Sequence, residues 1–295
     1  MSPRAIRPKA AAPIESTAAP TELATTPVES AGPIESTMPI ELAEAAGPAT
    51  AERAGRPNVR FRVSRWNKRL KKAHFDDFDV EVEPGGTVLD ALLEIRRRQD
   101  PSLVVRHSCM HASCGTCGVR VNDREVLACD AKLADLPAGR PIKVQPLANQ
   151  RLVADLATDM VDFYARFEPA GMPPVRAAEV GAEIEPPEAV RTFMRFENCI
   201  ECGLCLSACP VARTNRDYIG PAALAAAARV VDEPRGQELG PVLALAAEPD
   251  SVWRCHDAME CTAVCPSAVD PAMAILTLRR HIAADRVRGL LRHGA

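Results

Sequence analysis

Eleven cysteines in three tight groups constrain this chain more than any other feature. They stand at Cys109, Cys114, Cys117 and Cys129, then at Cys199, Cys202, Cys205 and Cys209, then at Cys255, Cys261 and Cys265. An odd number cannot pair fully within one chain, and thiols two or three residues apart suit metal ligation better than loop stapling. Thiols kept for metal imply a reducing compartment, so a cytoplasmic setting is expected. The net charge of −3 argues against nucleic acid as a partner, because that partner selects a marked basic excess.

The first group, Cys109-x4-Cys114-x2-Cys117-x11-Cys129, has the plant-type spacing for a [2Fe–2S] cluster. Three thiolates share one tight loop and the fourth arrives from a separate segment. Gly115 and Gly118 let the backbone pass close to the cluster and turn its N–H groups toward it. Four thiolates would also satisfy zinc, which is the alternative reading.

The second group, Cys199-Ile200-Glu201-Cys202-Gly203-Leu204-Cys205-Leu206-Ser207-Ala208-Cys209-Pro210, is the bacterial ferredoxin run. In two-cluster proteins the fourth cysteine of such a run ligates the other cluster. Applying that crossover assigns Cys199, Cys202, Cys205 and Cys265 to a [4Fe–4S] cluster, and leaves Cys209, Cys255 and Cys261 for another. A second full run would place a cysteine at position 258, where this chain has Ala258. Alanine cannot bind iron, so a [3Fe–4S] cluster is expected there. The alternative is a [4Fe–4S] cluster completed by water, Asp257 or Glu260.

Residues 1–56 are rich in Ala, Pro, Thr and Glu, have no aromatic residue, and repeat Pro-Ile-Glu-Ser-Thr at 13–17 and 33–37. Such a segment buries too little apolar surface to offset its ordering entropy, so a disordered extension is expected. Its glutamates are unlike a transit peptide, and it has no apolar core of a secretory signal. No apolar run reaches the roughly 18 residues of a membrane span. The Ala-rich stretch from Ala222 to Val231 is short and holds Arg229.

From Val59 to Val63 the residues alternate as in a half-buried strand, and a second strand is expected from Phe75 to Val82. Thr87 and Asp90 form a capping box for a helix whose apolar face is Val88, Ala91, Leu92 and Ile95. Short strands at Val119–Val121 and Ile142–Gln145 flank Cys129. These elements describe a β-grasp domain of the plant-ferredoxin kind over 57–150. Beyond it helical spacing dominates, from Leu152 to Phe167 and near 188–198, 221–231, 237–247 and 270–292. The fold class is therefore α+β: a β-grasp [2Fe–2S] domain, then an all-α ferredoxin domain over 151–295. Two basic groups have bland and functional readings alike. Arg65, Lys68, Arg69, Lys71 and Lys72 read as a solvated hairpin tip or a dock for an acidic partner. Arg279, Arg280, Arg286, Arg288 and Arg292, with Ile275, Leu278, Ile282 and Leu291, read as a packed helix or one resting on anionic lipid or an anchor subunit.

Further stretches carry a resemblance over about 58 to 285. They are Thr87 to Ile95, Arg106 to Cys109, Gln145 to Leu147, Val153 to Leu156, Phe163-Tyr164, Gly220 to Ala222 and Arg254 to His256. With the order of the cysteine groups, they resemble the iron–sulfur subunit of succinate dehydrogenase and fumarate reductase. The resemblance implies a non-catalytic electron-transfer subunit. Its partners would be an FAD-carrying flavoprotein subunit that interconverts succinate and fumarate, a membrane quinone, and one or more membrane anchor subunits. It places the chain on the cytoplasmic face of the cell membrane, held through partners. It also puts His256 and Pro210 near the quinone. The family pattern has tryptophan soon after the Cys-Pro pair, whereas this chain continues Val211-Ala212-Arg213-Thr214-Asn215. Two other readings are a fumarate-reducing relative with a different electron donor and a soluble multi-cluster carrier.

Overall fold

The computed structural model describes residues 57–67, 69–167, 196, 198–232 and 239–293. The expected N-terminal extension, Lys68 and most of the helix expected near 188–198 lie outside them.

Strand β1 (Asn58–Asn67) pairs antiparallel with β2 (Lys72–Glu81), and a helix, α1 (Val88–Arg98), follows. Strands β3 (Gly118–Val121), β4 (Arg124–Leu127) and β5 (Ile142–Gln145) complete a five-stranded sheet of order β2-β1-β5-β3-β4. Only the β1–β5 pairing is parallel. Period-2 alternation decides which face is buried: Phe61 and Val63 lie in the core, while Arg60 and Arg62 face outward opposite Asp79 and Asp77. Strand β4 carries no period-2 run long enough to announce itself; the turn at Asn122 and Asp123, both at positive φ, folds it back on β3.

The capping box on α1 is formed, with Asp90 N–H donating to Thr87 Oγ1 and Thr87 N–H donating to the Asp90 carboxylate. Val88, Leu89, Ala91, Leu92 and Ile95 bury the expected face. The helix N-terminus does more than begin a helix. Its Val88 and Leu89 N–H groups donate to Ala131 and Ala128 carbonyls, both at 2.9 Å. Cys129 is thereby held between two anchored residues.

The expected helix from Leu152 to Phe167 is not formed. Arg151–Ala154 (β6) and Ala157–Asp159 (β7) make a two-stranded hairpin, and only Val161–Ala165 (α2) is helical. Asp155 at the hairpin turn explains this. Its buried carboxylate accepts Trp66 N–H at 2.7 Å and Val104 N–H at 2.9 Å, with Arg65 Nε 3.3 Å away. Leu156 N–H also donates to the Val104 carbonyl. These remote partners outweigh local helical spacing. The same cluster corrects the reading of Arg65, which is only 8% exposed and pairs with Asp76, Asp100 and Asp155. Arg69, Lys71 and Lys72 are exposed at the hairpin tip.

Short helices α3 (Leu204–Ala208) and α4 (Pro210–Thr214) follow the second cysteine group. Then come α5 (Pro221–Asp232), α6 (Gly240–Ala247), α7 (Glu260–Ala263) and α8 (Pro271–His293). Ile275, Leu278 and Ile282 of α8 are buried in one core with Leu224, Ala227 and Val230 of α5. That supports the packed reading of the last helix over these turns; the side chains of Arg288, Leu291 and Arg292 lie outside the described set. Among the described residues no helix is long and apolar enough to cross a membrane.

The sheet and the helices meet tightly at the cysteine loops. A Cβ on Gly115, which has φ +70°, would lie 2.7 Å from Cys202 Cβ and 2.9 Å from the Ile200 carbonyl oxygen. Nearby, buried Ser207 accepts Ala148 N–H and donates to Glu125 Oε1, each at 2.8 Å. The Asn149 amide lies 2.8 Å from the Leu206 carbonyl and 3.1 Å from that of Cys209 at the end of α3.

Two substitutions test this framework by urea unfolding. Asp155→Ala leaves Arg65 short of a buried partner and two N–H groups without acceptors, and is expected to cost about 3–5 kcal/mol. Gly115→Ala combines left-handed strain with overlap and is expected to cost about 2–5 kcal/mol. Gly139→Ala, at φ +76° with nothing within 4 Å of its Cβ, should show only the strain of about 1–2 kcal/mol.

Candidate metal centres

All eleven cysteines carry free thiols, and the chain gathers them in three places. In the first, the loop from Cys109 to Cys117 takes positive φ at Met110, Ala112 and Gly115. Such turns point successive N–H groups to one side. Ala112 N–H lies 3.2 Å from Cys129 Sγ, while Ser113 and Cys114 N–H groups lie 3.4 and 3.3 Å from Cys109 Sγ. Cys117 and Cys129 have their sulfurs 3.3 Å apart. Hydrogen bonds from Thr116 and Cys109 hold the exposed Cys114 thiol down to about 6, whereas burial pushes Cys117 up to about 12. The loop therefore favours negative sulfur at its rim and resists it in its interior unless positive charge arrives.

In the second place, Cys199, Cys202, Cys205 and Cys265 all line one small hollow, and none of the other seven cysteines does. Its remaining wall is mostly apolar, with Phe163, Leu204, Ala222 and Val269 among the lining residues. Gly203, at φ +76°, opens α3 so that Cys202 and Cys205 face the same hollow. Cys265 is reached from the far side, and its sulfur lies 3.4 Å from Val269 N–H. Burial raises Cys202 to about 11 and lifts Cys205 well above its ordinary value; Cys199 and Cys265 add to both shifts, and Cys202 and Cys261 add to that of Cys205.

In the third place stand Cys209, Cys255 and Cys261. Burial pushes Cys261 up to about 12, and Cys209 and Cys255 are its charged neighbours. Burial also raises Cys209 and Cys255 themselves. The loop before α7 is held by Arg279, which reaches the Asp257 carboxylate at 2.9 and 3.0 Å, the Val252 carbonyl at 2.9 Å and the Cys255 carbonyl. The cationic readings of α8 thus do not apply to Arg279, which points inward to this loop. Ala258 lies in the exposed part of the loop.

The donor set suits iron–sulfur clusters. Thiolates are their usual ligands, the hollow of the second place is walled by apolar side chains, and the first loop turns N–H groups toward sulfur. Among the described residues no three His, Cys, Asp or Glu side chains converge closely enough for a single metal ion. The cysteines border their hollow rather than meet at a point.

His256 and Pro210 are both exposed, each adjacent in sequence to a cysteine of the third place. Two neighbours were not legible in the sequence. Trp253 is 41% exposed beneath the Arg286 guanidinium, 5.3 Å from its ring centroid, and it precedes Cys255 rather than following Cys209. Tyr218 is fully buried and its charged neighbours are Cys255, Cys209 and Cys261.

Comparison with known proteins agrees with this architecture. Residues 60–165 match a family model described as a 2Fe-2S iron-sulfur cluster binding domain, and residues 195–269 match a 4Fe-4S dicluster domain. The fumarate reductase iron-sulfur subunit of Escherichia coli O157:H7 is 36% identical over 222 residues, covering 74% of this chain and 90% of that protein. The succinate dehydrogenase iron-sulfur subunit of Paracoccus denitrificans is 30% identical over 262 residues, covering 86% and 99%. Among solved structures, a chain of the Mycobacterium smegmatis Sdh1 complex in the apo form shares the fold, with a TM-score of 0.71 at 24% identity over 79% of this chain and 98% of that one. With these relatives matched over nearly their whole length, the chain belongs to the family of iron–sulfur subunits of succinate dehydrogenase and fumarate reductase.

Proposed function

We propose that this chain relays electrons between an FAD-containing flavoprotein subunit, which interconverts succinate and fumarate, and a membrane quinone. In this reading the chain is non-catalytic. It sits peripherally on the cytoplasmic face of the membrane, held by one or more anchor subunits. Residues 57–150 form the β-grasp domain, whose Cys109, Cys114, Cys117 and Cys129 would hold a [2Fe–2S] cluster. Residues 151–295, which open on the β6–β7 hairpin, form the largely helical second domain. There Cys199, Cys202, Cys205 and Cys265 would hold a [4Fe–4S] cluster, and Cys209, Cys255 and Cys261 a [3Fe–4S] cluster. When bound, these groups supply one-electron redox chemistry, which suits a partner whose substrate reaction moves two electrons.

The observation that carries the reading is the partition of the cysteines. The hollow lined by Cys199, Cys202, Cys205 and Cys265 draws its members from both helical runs, and the remaining three keep company with Ala258 where a fourth would stand. The contact of Gly115 with Cys202 supports a relay as well, because it brings the first cysteine loop against the second with no side chain between. His256 and Pro210 stay the proposed quinone vicinity. Their exposure beside the third group, with Trp253 and Met259 each 41% exposed nearby in the chain, supports an apolar partner on that side.

The test is low-temperature EPR of the purified complex, air-oxidised and then given succinate. An oxidised [3Fe–4S] signal should vanish as a reduced [2Fe–2S] signal grows; a [3Fe–4S] signal indifferent to succinate would sink the proposed partner. Ala258→Cys supplies the missing thiolate and is expected to abolish most of the oxidised [3Fe–4S] signal while iron per chain rises. If Asp257 or Glu260 already completes that site, the wild-type protein will lack the signal and the substitution will change nothing.

A further inference from the structure

Tyr218 is an exception in the helical core. Its side chain is 0% exposed among aliphatic residues and other apolar groups, and among the described residues its hydroxyl makes no well-formed hydrogen bond, the Cys255 thiol being the one side chain that approaches as a partner. A buried hydroxyl left without a partner costs about 1–3 kcal/mol, and phenylalanine would fill the same volume without that cost. The segment that carries it is fastened on both sides. Its own carbonyl accepts from Arg166 Nη1, and Ile219 N–H donates to the Asp250 carbonyl at 3.1 Å. The Asp250 carboxylate accepts Asn215 Nδ2 at 2.8 Å and Arg254 Nε at 3.0 Å. Asp250 thus ties the Tyr218 segment to the residue preceding Cys255, so the ring cannot drift from that loop.

Tyr218 and Cys209 lie in one core cluster with Cys255 packed against it, and the charged groups that act on the phenol are Cys255, Cys209 and Cys261, the three cysteines of the third place. No cysteine of the other two places is among them.

We infer that the Tyr218 hydroxyl donates a hydrogen bond to a sulfur of the cluster that Cys209, Cys255 and Cys261 would hold, and thereby raises that cluster's reduction potential. The inference rests on the ligand assignment proposed above. The physical reason is simple. Reduction adds negative charge to the cluster, so a donor aimed at its sulfur stabilises the reduced form more than the oxidised one. The segment fastened by Arg166 and Asp250 supplies a fixed donor that needs no rearrangement when the charge changes.

The experiment is an EPR-monitored redox titration of the [3Fe–4S] signal in the intact complex, comparing wild type with Tyr218→Phe. Tyr218→Phe should shift the oxidised-to-reduced ratio at fixed potential by up to about tenfold toward oxidised, a fall of up to ~59 mV for one electron. The [2Fe–2S] midpoint should stay in place. Because the chain has two tyrosines and Tyr164 is exposed, uniform 3,5-difluorotyrosine labelling gives a second measurement without a core substitution. The stronger donor should move the midpoint upward, opposite to phenylalanine. A midpoint unmoved by fluorination overturns the inference even if Tyr218→Phe fails to assemble. An unmoved midpoint in both means the hydroxyl serves a buried water, and the cluster assignment stands. Absence of any [3Fe–4S] signal in cluster-loaded wild type overturns the assignment and the inference together.

Discussion

The contact between Gly115 and Cys202 constrains how the two halves of the chain fit. A single methyl group at Gly115 would stand 2.7 Å from the Cys202 Cβ, closer than real side chains approach. Much of the surrounding architecture holds the two loops at that separation. Gly118, the first residue of strand β3, has room for a Cβ only at 3.2 Å from Leu147 and Leu204. Strand β4 brings Glu125 to Ser207, burying a carboxylate beside Arg120 Nε at 3.5 Å. Burying such groups is costly unless every partner is in place, so this network favours one docking geometry over nearby alternatives.

The same economy of position governs the cysteines. Cys129 is placed by α1, whose first N–H groups are satisfied by the carbonyls on either side of it rather than by water. Cys265 reaches the hollow of the second group from a separate turn, so neither helical run can close its site alone. Burial raises most of the helical-domain thiols, which are therefore reluctant to ionise without a compensating positive charge. Iron is such a charge. If these thiols hold iron, folding of this half would be coupled to metal loading.

Much of this was legible in the sequence where the signal was local. Alternation in β1, the Thr87–Asp90 box and the apolar face of α1 each depend on residues within a few positions. The spacing of the cysteines likewise reports local loop geometry. What escaped was decided at a distance. Asp155 finds Trp66 across 89 residues and Val104 across 51, and those bonds turn an apparently helical stretch into a hairpin. Arg65 looked like one more cation in a basic turn because its three acidic partners are scattered from Asp76 to Asp155. Arg279 looked like a surface charge on an amphipathic helix, yet it closes the loop of Cys255. Tyr218 gave no signal at all, since a lone tyrosine in an apolar stretch is ordinary until its hydroxyl proves to be buried beside the third cysteine group.

The central claim is that the eleven cysteines divide into sets suited to a two-iron, a four-iron and a three-iron centre. Mössbauer spectroscopy of the purified complex, enriched uniformly in ⁵⁷Fe and oxidised, tests this most directly because it counts every iron by its cluster type. The account predicts spectral areas for [2Fe–2S], [4Fe–4S] and [3Fe–4S] species in the ratio of their iron contents. A second four-iron component in place of the three-iron species, or a helical domain without iron, would contradict it.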